Sequence, residues 1–123
     1  MALIILDPDQ IIEYIPVSQR KEEAPVTICC KYINRAQFLK YTDKIAHRLR
    51  GKSDPEERLE IQRECDREQF CRQVVEVRNV TDAAGNEVTD PGEFYDSVDA
   101  ELIYEIQDAL GRQATLTEGQ RKN

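Results

Sequence analysis

The hydrophobic pattern of this chain changes its period at Asn34, and this change limits the possible folds more than any other feature. Before it, apolar residues alternate at Val26, Ile28, Cys30 and Tyr32. After it, they recur at helical spacing at Phe38, Tyr41, Ile45 and Leu49. Asn34 and Gln37 have the spacing of a capping box, and Gly51 stands where a helix C-cap is expected. The sequence therefore predicts a strand with one buried face, followed directly by a helix.

The N-terminal part of the chain contains two short apolar runs. These are "LIIL" at 3–6 and "IIEYIP" at 11–16, and the turn-rich tetrapeptide "DPDQ" separates them. Runs of this length beside a turn are typical of short strands. We predict that they form a hairpin or part of a small antiparallel sheet.

A second helix is predicted in "SDPEERLEIQRECDREQFCRQVVEVRN". Ser53 or Asp54 can cap it, and Pro55 suits its first turn. The three valines near its end fit a strand or a buried last turn, and we predict helix to about Val75. The middle of this helix is so polar that most of its circumference must face water. It is therefore either peripheral or packed against a partner.

Two further helices are predicted after a loop with turn chemistry, with Asp90 and Asp99 as their N-caps. The last is predicted to close at Gly111. Short N-terminal strands followed by three or four helices indicate an α+β fold that is mostly α. The expected organisation is one globular domain at 1–112 and a mobile polar tail at 113–123.

Composition and charge make two classes of partner unfavourable. The 24 acidic residues outnumber the 17 basic residues, which gives a net charge of −7 among 123 residues. This charge repels nucleic-acid phosphates and anionic membranes, so we expect neither as a partner. No basic leader and no apolar stretch of membrane-spanning length is present in the sequence. A cytoplasmic protein is the expectation.

No catalytic or metal-binding motif stands out. Cys29 and Cys30 are adjacent, Cys65 and Cys71 are six residues apart, and zinc-knuckle spacing is missing. We interpret the four cysteines as small packing residues and the lone His47 as a surface residue. The segment "DAAGNEVTD" lacks EF-hand spacing and is interpreted as a turn. The prediction is a non-enzymatic protein without metal or cofactor, with a cysteine-nucleophile enzyme as a distant alternative.

Protein binding is therefore the favoured activity, and the last two helices carry apolar stripes. The residues predicted to contact a partner are Phe94, Leu102 and Ile106. The alternative is that both stripes face the core of the domain. A domain with few aromatic residues must still build its core, so a core-facing position is the favoured interpretation for most residues of these stripes.

Several segments resemble the small tail assembly chaperones of long-tailed bacteriophages. They are "DPDQIIEYIPVSQR", "PVTICCKYINRAQFLKY", "VVEVRNVTDAAGNEVTDPGEF" and the ending "LTEGQRKN". The resemblance implies a non-enzymatic protein of the bacterial cytoplasm, encoded by a phage or prophage. It implies binding to the tape measure protein and recruitment of tail tube protein. The runner-up is a small bacterial adaptor or regulatory domain that binds an unrelated protein.

The resemblance also offers an explanation for the last three residues. Many such chaperones are made in two lengths, the longer by a −1 ribosomal slip near the end of the short form. Arg121, Lys122 and Asn123 can be encoded so that their codons contain A-AAA-AAC, a run on which ribosomes slip. Any Lys-Asn pair permits this run, so the hypothesis has to be tested on the DNA.

Overall fold

The computed structural model describes residues 10–31 and 33–121, with side chains described as far as Leu110. The described residues form three strands and four α-helices, β1 (Ile11–Tyr14), β2 (Thr27–Lys31), α1 (Arg35–Leu49), α2 (Pro55–Gln73), β3 (Val74–Arg78), α3 (Pro91–Ser97) and α4 (Ala100–Arg121). A short 3-10 helix at Val17–Gln19 links β1 to β2. The predicted α+β class with mostly helical content is confirmed.

The three strands form one antiparallel sheet in the order β1-β2-β3. In the first pair Ile12 lies opposite Cys30, and Tyr14 lies opposite Ile28. β1 thus pairs with the strand that was predicted immediately before α1. The predicted hairpin between 3–6 and 11–16 involves the run at 3–6, which lies outside the described residues.

The helix predicted to reach Val75 ends earlier, and the prediction there was wrong. α2 stops at Gln73, and the valine-rich segment forms β3. The register of β2 and β3 shifts between Cys29 and Cys30, which places an extra residue in β3. This bulge lets Val74 and Val77 both reach the core although they are three residues apart, and both are fully buried. β-Branched side chains also favour the strand.

The central strand is buried on both faces, whereas one buried face was predicted. Cys29 points away from the core side of β2, yet it is only 1% exposed. Its register neighbours on the two outer strands are Glu13 and Glu76. Arg78 lies 3.2 Å from a Glu13 oxygen and 3.6 Å from a Glu76 oxygen, so this ion-pair network crosses above the small cysteine.

The predicted helix starts are confirmed. Asn34 and Gln37 form a reciprocal capping box with distances of 2.9 and 3.0 Å. The carboxylates of Asp54, Asp90 and Asp99 each accept a backbone N–H in the first turn of the helix that follows. These caps satisfy donors that have no partner inside the helix.

The predicted end of the last helix at Gly111 was wrong. α4 continues through this glycine to Arg121. A glycine inside a helix costs only about 1 kcal/mol relative to alanine, and no proline follows to stop the helix. The division into a domain at 1–112 and a mobile tail at 113–123 stays a prediction.

The core lies between the sheet and the helices α2, α3 and α4. Its buried apolar members are Ile28, Cys30, Phe70, Val74, Val77, Val88, Phe94, Ile103, Ile106 and Leu110. Phe70 of α2 stacks on Phe94 with ring centres 6.3 Å apart, and it meets Tyr95 at 5.1 Å. α1 contributes no buried residue. It therefore lies beside the core and does not form part of it.

Candidate protein-binding site

The three residues predicted to bind a partner lie in the core or against it. Phe94 is 1% exposed and Ile106 is fully buried. Leu102 is partly buried and packs against the same cluster. A partner could reach Phe94 or Ile106 only if the core opened. That a partner contacts these residues stays a prediction, but the folded surface does not offer two of them.

Exposed apolar side chains are found instead on α1. Phe38 is 50% exposed and Leu39 is 43% exposed. They belong to a helix whose apolar and polar residues are clearly separated around its axis, yet none of its residues is buried. An amphipathic helix normally gains its stability by burying its apolar side. Tyr41, Ile45 and Leu49 are half-buried, so the uncovered part of the apolar side is the part with Phe38 and Leu39.

Several ion pairs join α1 to α2. Lys44 reaches Glu68 at 2.6 Å, and Arg48 reaches Glu64 at 2.6 Å. The Nη1 atom of Arg48 also donates to the Cys65 sulfur at 3.3 Å. Solvent-exposed ion pairs of this kind contribute only up to about 1 kcal/mol each. They orient the two helices but bury little apolar surface.

A cleft of about 240 Å³ lies next to this uncovered side, between α1, α2 and α4. Its walls are formed by Ile33, Phe38, Tyr41, Asp66, Gln69, Phe70, Gln73, Gln107 and Leu110. The half-exposed Phe38 thus belongs both to the surface of α1 and to the wall of the cleft. The apolar surface of α1 continues into the cleft.

Gln73 places an unpaired polar group in this cleft. Its side chain is only 9% exposed, and its amide nitrogen has no hydrogen-bond partner within the described part of the chain. A buried donor without an acceptor costs about 1–3 kcal/mol. Folded chains rarely keep such a group. An acceptor from water or from a bound partner would satisfy it.

Two other polar residues of the cleft, Tyr41 and Asp66, are hydrogen-bonded to each other. The Tyr41 hydroxyl donates to the Asp66 Oδ1 atom at 2.9 Å, and Gln62 donates to the same oxygen at 3.0 Å. Burial, then the hydrogen bond to Asp66, raises the pKa of the Tyr41 hydroxyl, which stays protonated as a donor. In the cleft, Tyr41 and Asp66 are therefore hydrogen-bonded to each other, whereas the Gln73 amide nitrogen has no partner among the described residues.

Three of the cysteine thiols, those of Cys29, Cys30 and Cys71, are poorly suited to nucleophilic chemistry. Cys29, Cys30 and Cys65 are buried and Cys71 is partly buried, all as free thiols. Burial, followed by the charge of Cys29, raises the pKa of the Cys30 thiol to about 12. Burial also raises the pKa of Cys29 and of Cys71. A catalytic thiol requires a lowered pKa, which is the opposite direction.

Two kinds of feature are missing from the described residues. No group of three or more His, Cys, Asp or Glu side chains there is arranged to hold a metal ion. No helix in that part of the chain combines the length and apolar character needed to cross a membrane. His47 is exposed, as predicted.

Comparison of the chain with known protein families, curated proteins and solved structures found no match. The resemblance to tail assembly chaperones therefore rests on sequence segments alone. The function has to be argued from the surface of α1 and from the cleft.

The sequence patterns did not reveal this surface, although one signal for it was present. The apolar arc of α1 spans Phe38, Leu39, Tyr41, Ile45 and Leu49. The next helix, α2, has few apolar residues that could cover this arc. This difference between the two consecutive helices indicates an uncovered face. Gln73 gave no signal, because its burial depends on how α2 and α4 meet.

Replacing Gln73 with leucine is expected to stabilise the isolated domain by about 1–2 kcal/mol, because the buried amide no longer lacks an acceptor. Urea unfolding followed by circular dichroism measures the effect. Gln69→Leu is the matched control in the same cleft and is expected to change the free energy of unfolding by less than about 0.5 kcal/mol. Destabilisation by Gln73→Leu would show that the amide is satisfied in solution.

Proposed function

We propose that this chain is a non-enzymatic protein-binding domain that holds a helical segment of a client protein. The observation that carries the proposal is α1, an amphipathic helix with no buried residue and with Phe38 and Leu39 about half exposed. Helical clients commonly place their apolar face in a groove of this kind. The cleft beside Phe38 supplies such a groove.

Within this class, we propose a tail assembly chaperone of a long-tailed phage or prophage. Its client would be the tape measure protein, a long helical chain, and it would recruit tail tube protein in the bacterial cytoplasm. The resemblance of the quoted segments supports this assignment. The net charge of −7 supports it as well, because a charged coat keeps an apolar helix in solution.

The first test is the DNA that encodes residues 121–123 and the DNA that follows it. We expect the run A-AAA-AAC at codons 121–123, an overlapping −1 frame, and a very long helical reading frame just downstream. The second test is co-expression of that downstream protein with and without this chain. Its soluble fraction is expected to rise severalfold with the chain present.

An unchanged soluble fraction, together with the absence of all three DNA features, would reject the chaperone assignment. The adaptor would then be the better proposal, because the same surface of α1 can hold a helix of an unrelated protein. Titration of the thiols addresses the enzyme alternative. A strongly lowered pKa on any cysteine would favour that alternative.

A further inference from the structure

We propose that the cleft and the neighbouring residues Arg35, Phe38 and Leu39, here called the α1 patch, recognise an amphipathic helix with acidic flanks. An apolar side chain of this helix fills the cleft, and one of its oxygen atoms accepts a hydrogen bond from Gln73. Carboxylates on its flank pair with Arg35. The inference rests on the proposed function, since it names the chemistry of the client and the surface that binds it.

The geometry of α1 places the residues of the α1 patch side by side. Phe38 and Leu39 follow Arg35 by three and four residues, so all three side chains lie on neighbouring positions of one helical face. α1 has 15 residues and is therefore about 22 Å long. A partner helix laid along it can place apolar residues at intervals of three, four and seven positions.

The charge of the segment 35–52 indicates which charges the flanks of the partner helix should have. The segment 35–52 has six Lys and Arg residues and one Asp, a net charge of +5 in a chain whose total is −7. Lys44, Arg48 and Lys52 pair with carboxylates of α2. No ion pair in the described part of the chain engages Arg35 or the neighbouring Lys40. These cations favour an acidic partner over a basic one.

The size and lining of the cleft indicate which side chain of the partner, here called the anchor, can insert into it. Its volume of about 240 Å³ lies below the range of about 300–1,000 Å³ that is usual for small-molecule sites. It suits the side chain of a protein partner better than a cofactor. Its walls are largely apolar at Ile33, Phe38 and Leu110. The buried amide nitrogen of Gln73 adds one donor, so the anchor must bring an acceptor beside its apolar group.

The test uses two synthetic helical peptides of equal length with the same leucine stripe. One peptide has glutamate on both flanks of the stripe, and the other has lysine. Fluorescence anisotropy titrations with the full chain are made at low and high salt. We expect the glutamate peptide to bind about tenfold more tightly than the lysine peptide at low salt. This preference is expected to shrink at high salt, because exposed charges are screened.

Three variants locate the binding surface, and each has a control elsewhere on the chain. Arg35→Glu is expected to remove the preference for the glutamate peptide, whereas Lys21→Glu retains it. Phe38→Ala is expected to weaken binding about tenfold, whereas Val17→Ala, at a residue that is 62% exposed, has no effect. Gln73→Leu is expected to weaken binding several-fold without unfolding the chain, whereas Gln10→Leu, at an exposed residue outside the cleft, does not.

Equal affinities for the two peptides, or variants that bind like the parent chain, would overturn the inference. A dimer that Phe38→Ala dissociates would also overturn it, since a second copy would then occupy the patch. The co-expressed client separates the two proposals. If the client stays soluble with Phe38→Ala and Arg35→Glu, the chaperone function stands and this surface is wrong. If the peptides behave as expected but the client gains no solubility, the surface stands and the chaperone assignment is wrong.

Discussion

Ile106→Asp is expected to leave the chain unfolded at neutral pH. Ile106 is fully buried in the apolar core. No cation of the described residues belongs to this core cluster to pair with a carboxylate. The change removes buried apolar surface and forces a charged group into that environment. A loss above about 5 kcal/mol follows, which is comparable with the whole stability of a small domain. Loss of the cooperative unfolding transition in circular dichroism measures it.

Tyr104→Asp is the matched control for Ile106→Asp, because it introduces the same side chain two residues earlier on α4. Tyr104 is 69% exposed, so the new carboxylate stays in water. The free energy of unfolding is expected to change by less than about 1 kcal/mol. A folded, cooperative Ile106→Asp variant would contradict the burial of this residue. It would also mean that Ile106 lies at the surface, where a partner could contact it.

Phe94→Ala is expected to destabilise the domain by about 3–5 kcal/mol, the range for deleting a large buried aromatic side chain. Phe94 is 1% exposed and its ring stacks on Phe70, so the change opens a cavity between α2 and α3. Urea unfolding gives the value, provided that the slope of the transition is unchanged.

Phe38→Ala is the control for Phe94→Ala, because the same side chain is removed from a half-exposed position. Its expected cost is below about 1 kcal/mol. Similar losses at the two sites would show that Phe38 is as buried in solution as Phe94. In that case the α1 patch would already be covered in the free chain.

The parts of the fold that depend on local chemistry could be predicted from the sequence. Asn34, Asp54 and Asp90 cap helices because their side chains reach backbone donors within two or three residues. The strand at β2 follows from its alternating pattern. β3 could not be recognised in the same way, because three valines fit a helix end and a strand equally well. Its pairing with β2 and its bulge make this segment a strand and not a helix end.

The candidate site depended on tertiary structure and was therefore harder to predict. Phe94 and Ile106 have the spacing of a binding stripe, but the same spacing serves a core-facing helix. The distinction lies in what covers them, and both are buried in the core cluster together with Phe70 of α2. Phe38 belonged to a stripe assigned to an ordinary helix, and its exposure depends on how α1 packs beside the core.

The position of α1 and α2 in the sheet topology affects how freely the proposed binding surface can vary. β2 and β3 are neighbours in the sheet, yet the whole α1–α2 unit is inserted between them in the chain. α2 anchors this inserted unit to the core through Phe70, whereas α1 has no buried residue. The outer face of α1 can therefore change its sequence with little effect on folding. A domain built in this way can be adapted to different clients while its core stays the same.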